Sequence, residues 1–146
     1  MVLQNELLGP LSTIDSMSEM IVKNQYQISD NAELIKMATL INNATFFATK
    51  KLVCITDLNV ILDQKMIIPY LDSFNLLEAA SRVIDVIQTT NVKDLAIELE
   101  VEKNHLWVRS DMDRLQQVLL NLLENVSKEA DANSTIKIEM YTKPMT

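Results

Sequence analysis

The 146 residues are 48% hydrophobic and 23% charged, enough apolar material for a core and too much for wholesale disorder. A formal charge of -7 denies the chain the basic face that a phosphate backbone requires, so no nucleic-acid partner is expected. Aromatic residues supply only 5% against 8 methionines, so the core is expected to be aliphatic, in one domain or two small units.

The lone cysteine, Cys54, permits no intramolecular disulfide and suits a reducing compartment. It lies in an apolar helical run and reads as a buried, inert thiol rather than a nucleophile. No apolar run reaches the ~18 residues of a membrane span. The N-terminus has no basic stretch leading into an apolar one. The expected location is the cytoplasm, with no membrane segment in this chain.

Gly9 is the sole glycine, which leaves few places for left-handed turns and predicts long helices with few connections. The first helix is expected from about Leu3 to Gln25, bent early at Gly9-Pro10. Ser29, Asp30 and Asn31 offer a cap and a turn. A second, longer helix then runs to about Leu62. Leu34, Ala38, Ile41, Thr45, Ala48, Leu52, Ile55, Asn59 and Leu62 alternate spacings of four and three, a seam suited to a bundle. Thr45 and Asn59 would fix its register. A four-helix bundle formed by dimerisation buries two faces of such a hairpin, with packing inside one monomer as the alternative. Lys50 and Lys51, the only adjacent basic pair, read as a solvated helix face.

Pro69 marks a boundary, since the residue before a proline is pushed out of helix. Beyond it the expected elements are a short strand over Tyr70–Phe74 and a helix over Leu76–Gln88 with Leu77, Ala80, Val83, Ile84 and Ile87 on one side. Period-two alternation predicts a strand over Leu95–Val101, a brief one over Leu106–Arg109 and another over Thr135–Tyr141. Between the last two, Ser110 or Asp111 caps a helix from Asp113 to Ala130. Its residues Leu115, Val118, Leu119, Leu122, Leu123 and Val126 form one apolar stripe. Asn121, Asn125 and Lys128 gather on a flank beside that stripe, where two amides and an ammonium could hold a metal-bound phosphate; an ordinary amphipathic helix is the plain alternative. Helices on one face of a sheet make an α+β layer, and the strand Ile136–Tyr141 leaves an exposed edge and an apolar face.

With that order in hand, essentially the whole chain resembles a sensor histidine kinase. The segment Asp113-Arg114-Leu115, QVLLNLL, Asn125-Val-Ser-Lys128 is similar to that family's asparagine box. The resemblance implies that Asn125 coordinates the Mg²⁺ of ATP and that Asn121 and Lys128 approach the phosphates. An amide oxygen suits a hard cation and a lysine neutralises phosphate charge. Asn5-Glu-Leu-Leu-Gly-Pro-Leu11 resembles the phosphoacceptor motif His-Glu-x-x-Thr/Asn-Pro-Leu, with Glu6, Pro10 and Leu11 in register. Ile55-Thr-Asp57-Leu58 resembles the second dimerisation helix, and Phe74-Asn-Leu76 the strand leading into the ATP-binding part. The implied architecture is a dimerisation and phosphoacceptor-like hairpin over residues 1–66, followed over 67–146 by the first part of an α/β sandwich of the ATPase type.

The departures bear on the chemistry. Asn5 stands where the acceptor histidine belongs, and an amide nitrogen has its lone pair delocalised and is no nucleophile. Glu6, the matching general base, then has nothing to activate and reads equally as a solvated carboxylate. The only histidine, His105, precedes Leu106-Trp107 and reads as a turn or strand-edge residue. With Gly9 alone, the family's glycine-rich lid boxes have no counterpart. The expectation is a catalytically incomplete signalling protein acting through dimerisation, as a homodimer or with a related kinase. The enzyme alternative is an ATP-dependent histidine kinase that needs a longer chain or an intact partner. A response regulator is the partner that the resemblance implies. Met1 precedes the motif by four residues, so a partial gene product is a further expectation.

Overall fold

Helices dominate the computed structural model, which describes residues 2–24, 31–90, 95–102 and 106–141, with side chains in the first stretch from 7 to 21. The chain divides into two compact units, Met1–Ile67 and Ile68–Thr146.

The first unit is two packed helices, α1 (Val2–Asn24) and α2 (Asn31–Leu62). The bend expected at Gly9-Pro10 does not interrupt α1, which runs through Pro10 and forgoes the backbone bond that a proline cannot donate. Thr13 Oγ1 donates to the Gly9 carbonyl at 3.1 Å in that turn. The expected cap residues Ser29 and Asp30 lie outside the described residues.

Within one chain, α1 covers a different row of α2 from the expected seam. Met37, Ala44, Ala48 and Lys51 form the buried row, with Ile41 and Ile55 half-buried along it. Of the expected set only Ala48 is buried, while Ala38, Thr45, Leu52, Asn59 and Leu62 are exposed. The cause is that α2 is apolar on several sides, so spacing alone did not single out the row that α1 covers. Thr45 Oγ1 donates to the Ile41 carbonyl at 2.8 Å.

Lys50 and Lys51 are buried, not solvated. Each ammonium lies over the ring one turn earlier, Lys50 over Phe46 at 5.1 Å and Lys51 over Phe47 at 5.3 Å. The four-carbon stems cover apolar surface while the charge finds an aromatic face. Cys54 is half-buried rather than buried.

At its end α2 closes with Lys65 N–H donating to the Val60 carbonyl and Gln64 N–H to that of Ile61, while Gln64 takes φ 57. This is a Schellman ending with glutamine in the left-handed position where glycine is usual.

The second unit contains β1 (Asp72–Asn75), α3 (Leu76–Thr90), β2 (Ala96–Val101), β3 (Trp107–Ser110), α4 (Met112–Glu129) and β4 (Thr135–Met140). The single sheet expected from the alternation resolves into two pairs among the described residues. β1 pairs antiparallel with β3, from Asp72↔Ser110 to Asn75↔Trp107. β2 pairs parallel with β4, from Ala96↔Thr135 to Val101↔Met140. β1 starts later than expected because the Tyr70 N–H is taken by Asp111 Oδ2 at 2.9 Å, outside any ladder.

Ala79, Ala80, Val83, Ile84, Val86 and Ile87 make α3 the centre of this core. Asn75 caps the helix, accepting from Leu77 N–H at 3.1 Å and donating to Glu78 Oε1 at 3.2 Å. On the β2–β4 pair, Ile97, Leu99, Val101, Ile136, Ile138 and Met140 occupy the inner face, and Glu98, Glu100, Lys137 and Glu139 the outer one. Lys137 Nζ lies 2.9 Å from Glu100 and 3.2 Å from Glu139.

Candidate functional site

The start of α4 is built by one carboxylate. Asp111 Oδ1 accepts from the Arg114 N–H at 3.1 Å, and its other oxygen holds Tyr70 N–H. Asp111 Oδ2 also lies 3.9 Å from Arg114 Nε. One residue thus caps the helix and fastens the chain that enters the unit. Asp113, in the first turn, adds negative charge at the positive end of the helix dipole.

The buried face of α4 is not the expected apolar stripe. Gln116, Leu120, Leu123 and Ser127 are buried, and Gln116 Nε2 donates to the Ala79 carbonyl at 3.2 Å, fixing α4 against α3. Val118, Leu122 and Val126 are 60%, 57% and 45% exposed. The helix is therefore rotated by about 100° from the expected orientation, the step of one residue. The physical reason is Gln116: its amide can be buried because a carbonyl of α3 receives it.

The rotation carries Asn121, Asn125 and Lys128 away from the core, within about 60° of one another around the helix. Asn125 and Lys128 are exposed and Asn121 is half-buried. Glu124 joins them: its Oε1 receives Lys128 Nζ at 2.8 Å. The sequence reading missed Glu124, although a glutamate four residues before a lysine on a helix is a recognisable pairing signal. In this pair Lys128 is exposed and the Glu124 side chain only 16% so.

Beside these polar groups runs an apolar groove of about 370 Å³, lined by Leu115, Val118, Leu119 and Leu122 of α4, by Leu76 and Ala80 of α3, and by Met140. Ser110, Asp111 and Arg114 stand at its polar end. Asn5 and Glu6 lie on α1, in the first unit, and their side chains fall outside the described residues, as does His105.

As a place for Mg²⁺ carried by a nucleotide, the donor set fits in part. Asn125 offers an amide oxygen, Glu124 a carboxylate and Lys128 a counter-charge, which is a hard-cation and phosphate chemistry. No cluster of three His, Cys, Asp or Glu side chains able to hold a metal ion occurs among the described residues. The three groups form one wall on the convex surface of a helix, and residues 68–146 hold no glycine for a cradle beside them.

No protein-family profile and no curated protein matches the sequence. Solved structures do match. The Acinetobacter baumannii histidine kinase AdeS is similar over 95% of this chain, with 16% identity and a TM-score of 0.52. The histidine kinase ThkA, solved in complex with the response regulator protein TrrA, is similar over 95% of this chain, with 25% identity and a TM-score of 0.50. The fold is that of a sensor histidine kinase. The chain spans 66% of the length of AdeS and 40% of that of ThkA. Among the described residues, no helix of this histidine-kinase-like chain is long and apolar enough to cross a membrane.

Proposed function

We propose that the chain is a histidine-kinase-like signalling protein that works by pairing, with itself or with a related kinase, and not by transferring phosphate. In this reading residues 1–66 are the dimerisation and phosphoacceptor-like hairpin, and residues 67–146 the first part of an ATP-binding domain. The observation that carries it is the apolar surface of the two-helix unit. Leu8 and Leu11 of α1, and Leu58, Ile61 and Leu62 of α2, are about half exposed or more. In an antiparallel hairpin the start of α1 and the end of α2 lie at the same end, which gathers these residues there. Such a surface is what a second hairpin buries in a four-helix bundle.

The chemistry of Asn5 supports the absence of transfer, because an amide cannot accept a phosphoryl group as imidazole does. Where ATP and Mg²⁺ bind, Asn125 would hold the ion and Asn121 and Lys128 the phosphates. The nucleotide would supply the phosphoryl group, and this chain would supply orientation and charge alone. ThkA's complex with TrrA makes a response regulator the partner to test for this chain. The second reading, an ATP-dependent histidine kinase active only within a longer chain or beside an intact partner, is favoured by Asn121, Asn125 and Lys128 sharing one exposed face.

Incubation with radiolabelled ATP and Mg²⁺, beside a histidine kinase that keeps its acceptor histidine but has lost nucleotide binding, separates the two. The expected result is no phosphate on either protein, whatever nucleotide binds this chain. Labelling that disappears on Asn125→Ala would establish the kinase reading instead.

A further inference from the structure

We propose that Asp111 is a two-position latch, tying the segment that enters the second unit to α4, the helix of Asn121, Asn125 and Lys128. Its first position completes a strand ladder. Leu76 N–H donates to the Leu106 carbonyl at 2.9 Å, and the register then sets Phe74 opposite Val108 and Asp72 opposite Ser110. One step further Tyr70 would exchange bonds with Met112, as alternate pairs of an antiparallel ladder do. Met112 instead begins α4. The Asp111 carboxylate stands in for the missing strand, and its Oδ2 accepts the Tyr70 N–H at 2.9 Å.

Side chains do not fasten this segment, since Met66, Ile68, Tyr70 and Leu71 are each more than half exposed. Among the described residues, the Tyr70 bond is the one hydrogen bond that residues 66–71 make. The segment therefore docks or leaves on a single contact.

The second position is set by Arg114. Its Nε stands 3.9 Å from the same Oδ2, beyond hydrogen-bond length. When Tyr70 leaves, Oδ2 loses its donor on a side chain only 13% exposed, and an unpaired carboxylate oxygen there is costly. The guanidinium closes the gap to about 2.8 Å, the length of a charged hydrogen bond. Oδ1 keeps the Arg114 N–H at 3.1 Å, so the cap of α4 survives in both positions. Arg114 lines the polar end of the groove along α4. Release of the segment is thus registered as a shift of Arg114 on that helix. The device lies within the second unit and does not depend on the pairing of the hairpins.

Hydrogen exchange on the full chain, read by NMR, tests both positions. Tyr70→Pro removes the donor N–H, and exchange at Arg114 Nε–H is expected to slow about tenfold as the guanidinium closes on Asp111. Arg114→Met removes the competing donor, and exchange at Tyr70 N–H is expected to slow about threefold. Asp111→Ser keeps a cap too short to reach Tyr70, and exchange there is expected to rise about tenfold. Unchanged protection of the Leu120 and Leu123 amides shows in each variant that the unit is folded. If Tyr70→Pro unfolds it, Arg114→Met decides alone. An Arg114 Nε–H indifferent to Tyr70→Pro in a folded unit would overturn the latch and leave Asp111 a cap only. So would a Tyr70 N–H indifferent to Arg114→Met or to Asp111→Ser.

Discussion

Among the described residues, two take the left-handed conformation without being glycine. Gln64 closes α2 at φ 57, and Asn133 turns α4 into β4 at φ 63, where Ser134 N–H and Oγ both reach the Asp131 carbonyl. Asparagine tolerates this region better than glutamine does. Gln64→Gly is therefore expected to raise stability by about 0.5–1 kcal/mol, read as a higher midpoint in urea. Ser127 is a second residue out of balance: its Oγ is buried with no hydrogen-bond partner among the described residues. Ser127→Ala removes that group and leaves the packing nearly intact, so a gain of about 1 kcal/mol is expected. A loss of stability would mean that the hydroxyl is satisfied.

The second unit depends on how its elements are joined, and Asp111 is the chief joint. It caps α4 and holds the Tyr70 N–H, so Asp111→Ala is expected to cost about 2–3 kcal/mol, more than an ordinary cap. An unfolding curve with a lower midpoint and the same slope checks this. The outer face of the β2–β4 pair adds a pH dependence. The Glu100 carboxylate, and then Glu139, hold the Lys137 ammonium above its ordinary value of 10.5. Because the folded value is the higher, this contribution is complete below the ordinary lysine range and is lost as pH rises through the raised value. The elements themselves were largely legible. Period-two alternation located β2 and β4, and the cap candidates Ser110 and Asp111 before an apolar periodic run located the start of α4, where Asp111 is the cap. What escaped was the face that each helix buries. α2 is apolar on several sides, so only the position of α1 decides which row is buried within the hairpin. α4 buries Gln116, a choice made by the Ala79 carbonyl, 37 residues away in sequence. Tyr70 is withdrawn from β1 by Asp111, 41 residues on. Contacts at that separation leave no local pattern.

At the scale of the whole molecule, the shared face of Asn121, Asn125 and Lys128 was legible because helical spacing alone brings them together. The ion pair from Glu124 was legible in principle and overlooked. The rotation that sets this polar face beside an exposed apolar groove was not legible, since it follows from the packing of α4 on α3. In the proposed reading, polar groups on one helix face and an amide at the proposed acceptor position leave the apolar surface of the hairpin as the feature with most to contribute. The central claim is that this surface pairs. Light scattering on the full chain at micromolar concentration tests it most directly. Twice the mass of one chain is expected, reduced to one chain by Leu11→Glu with Leu58→Glu in a protein that keeps its helicity. A strictly monomeric unmutated chain, or a dimer indifferent to those two substitutions, would contradict it.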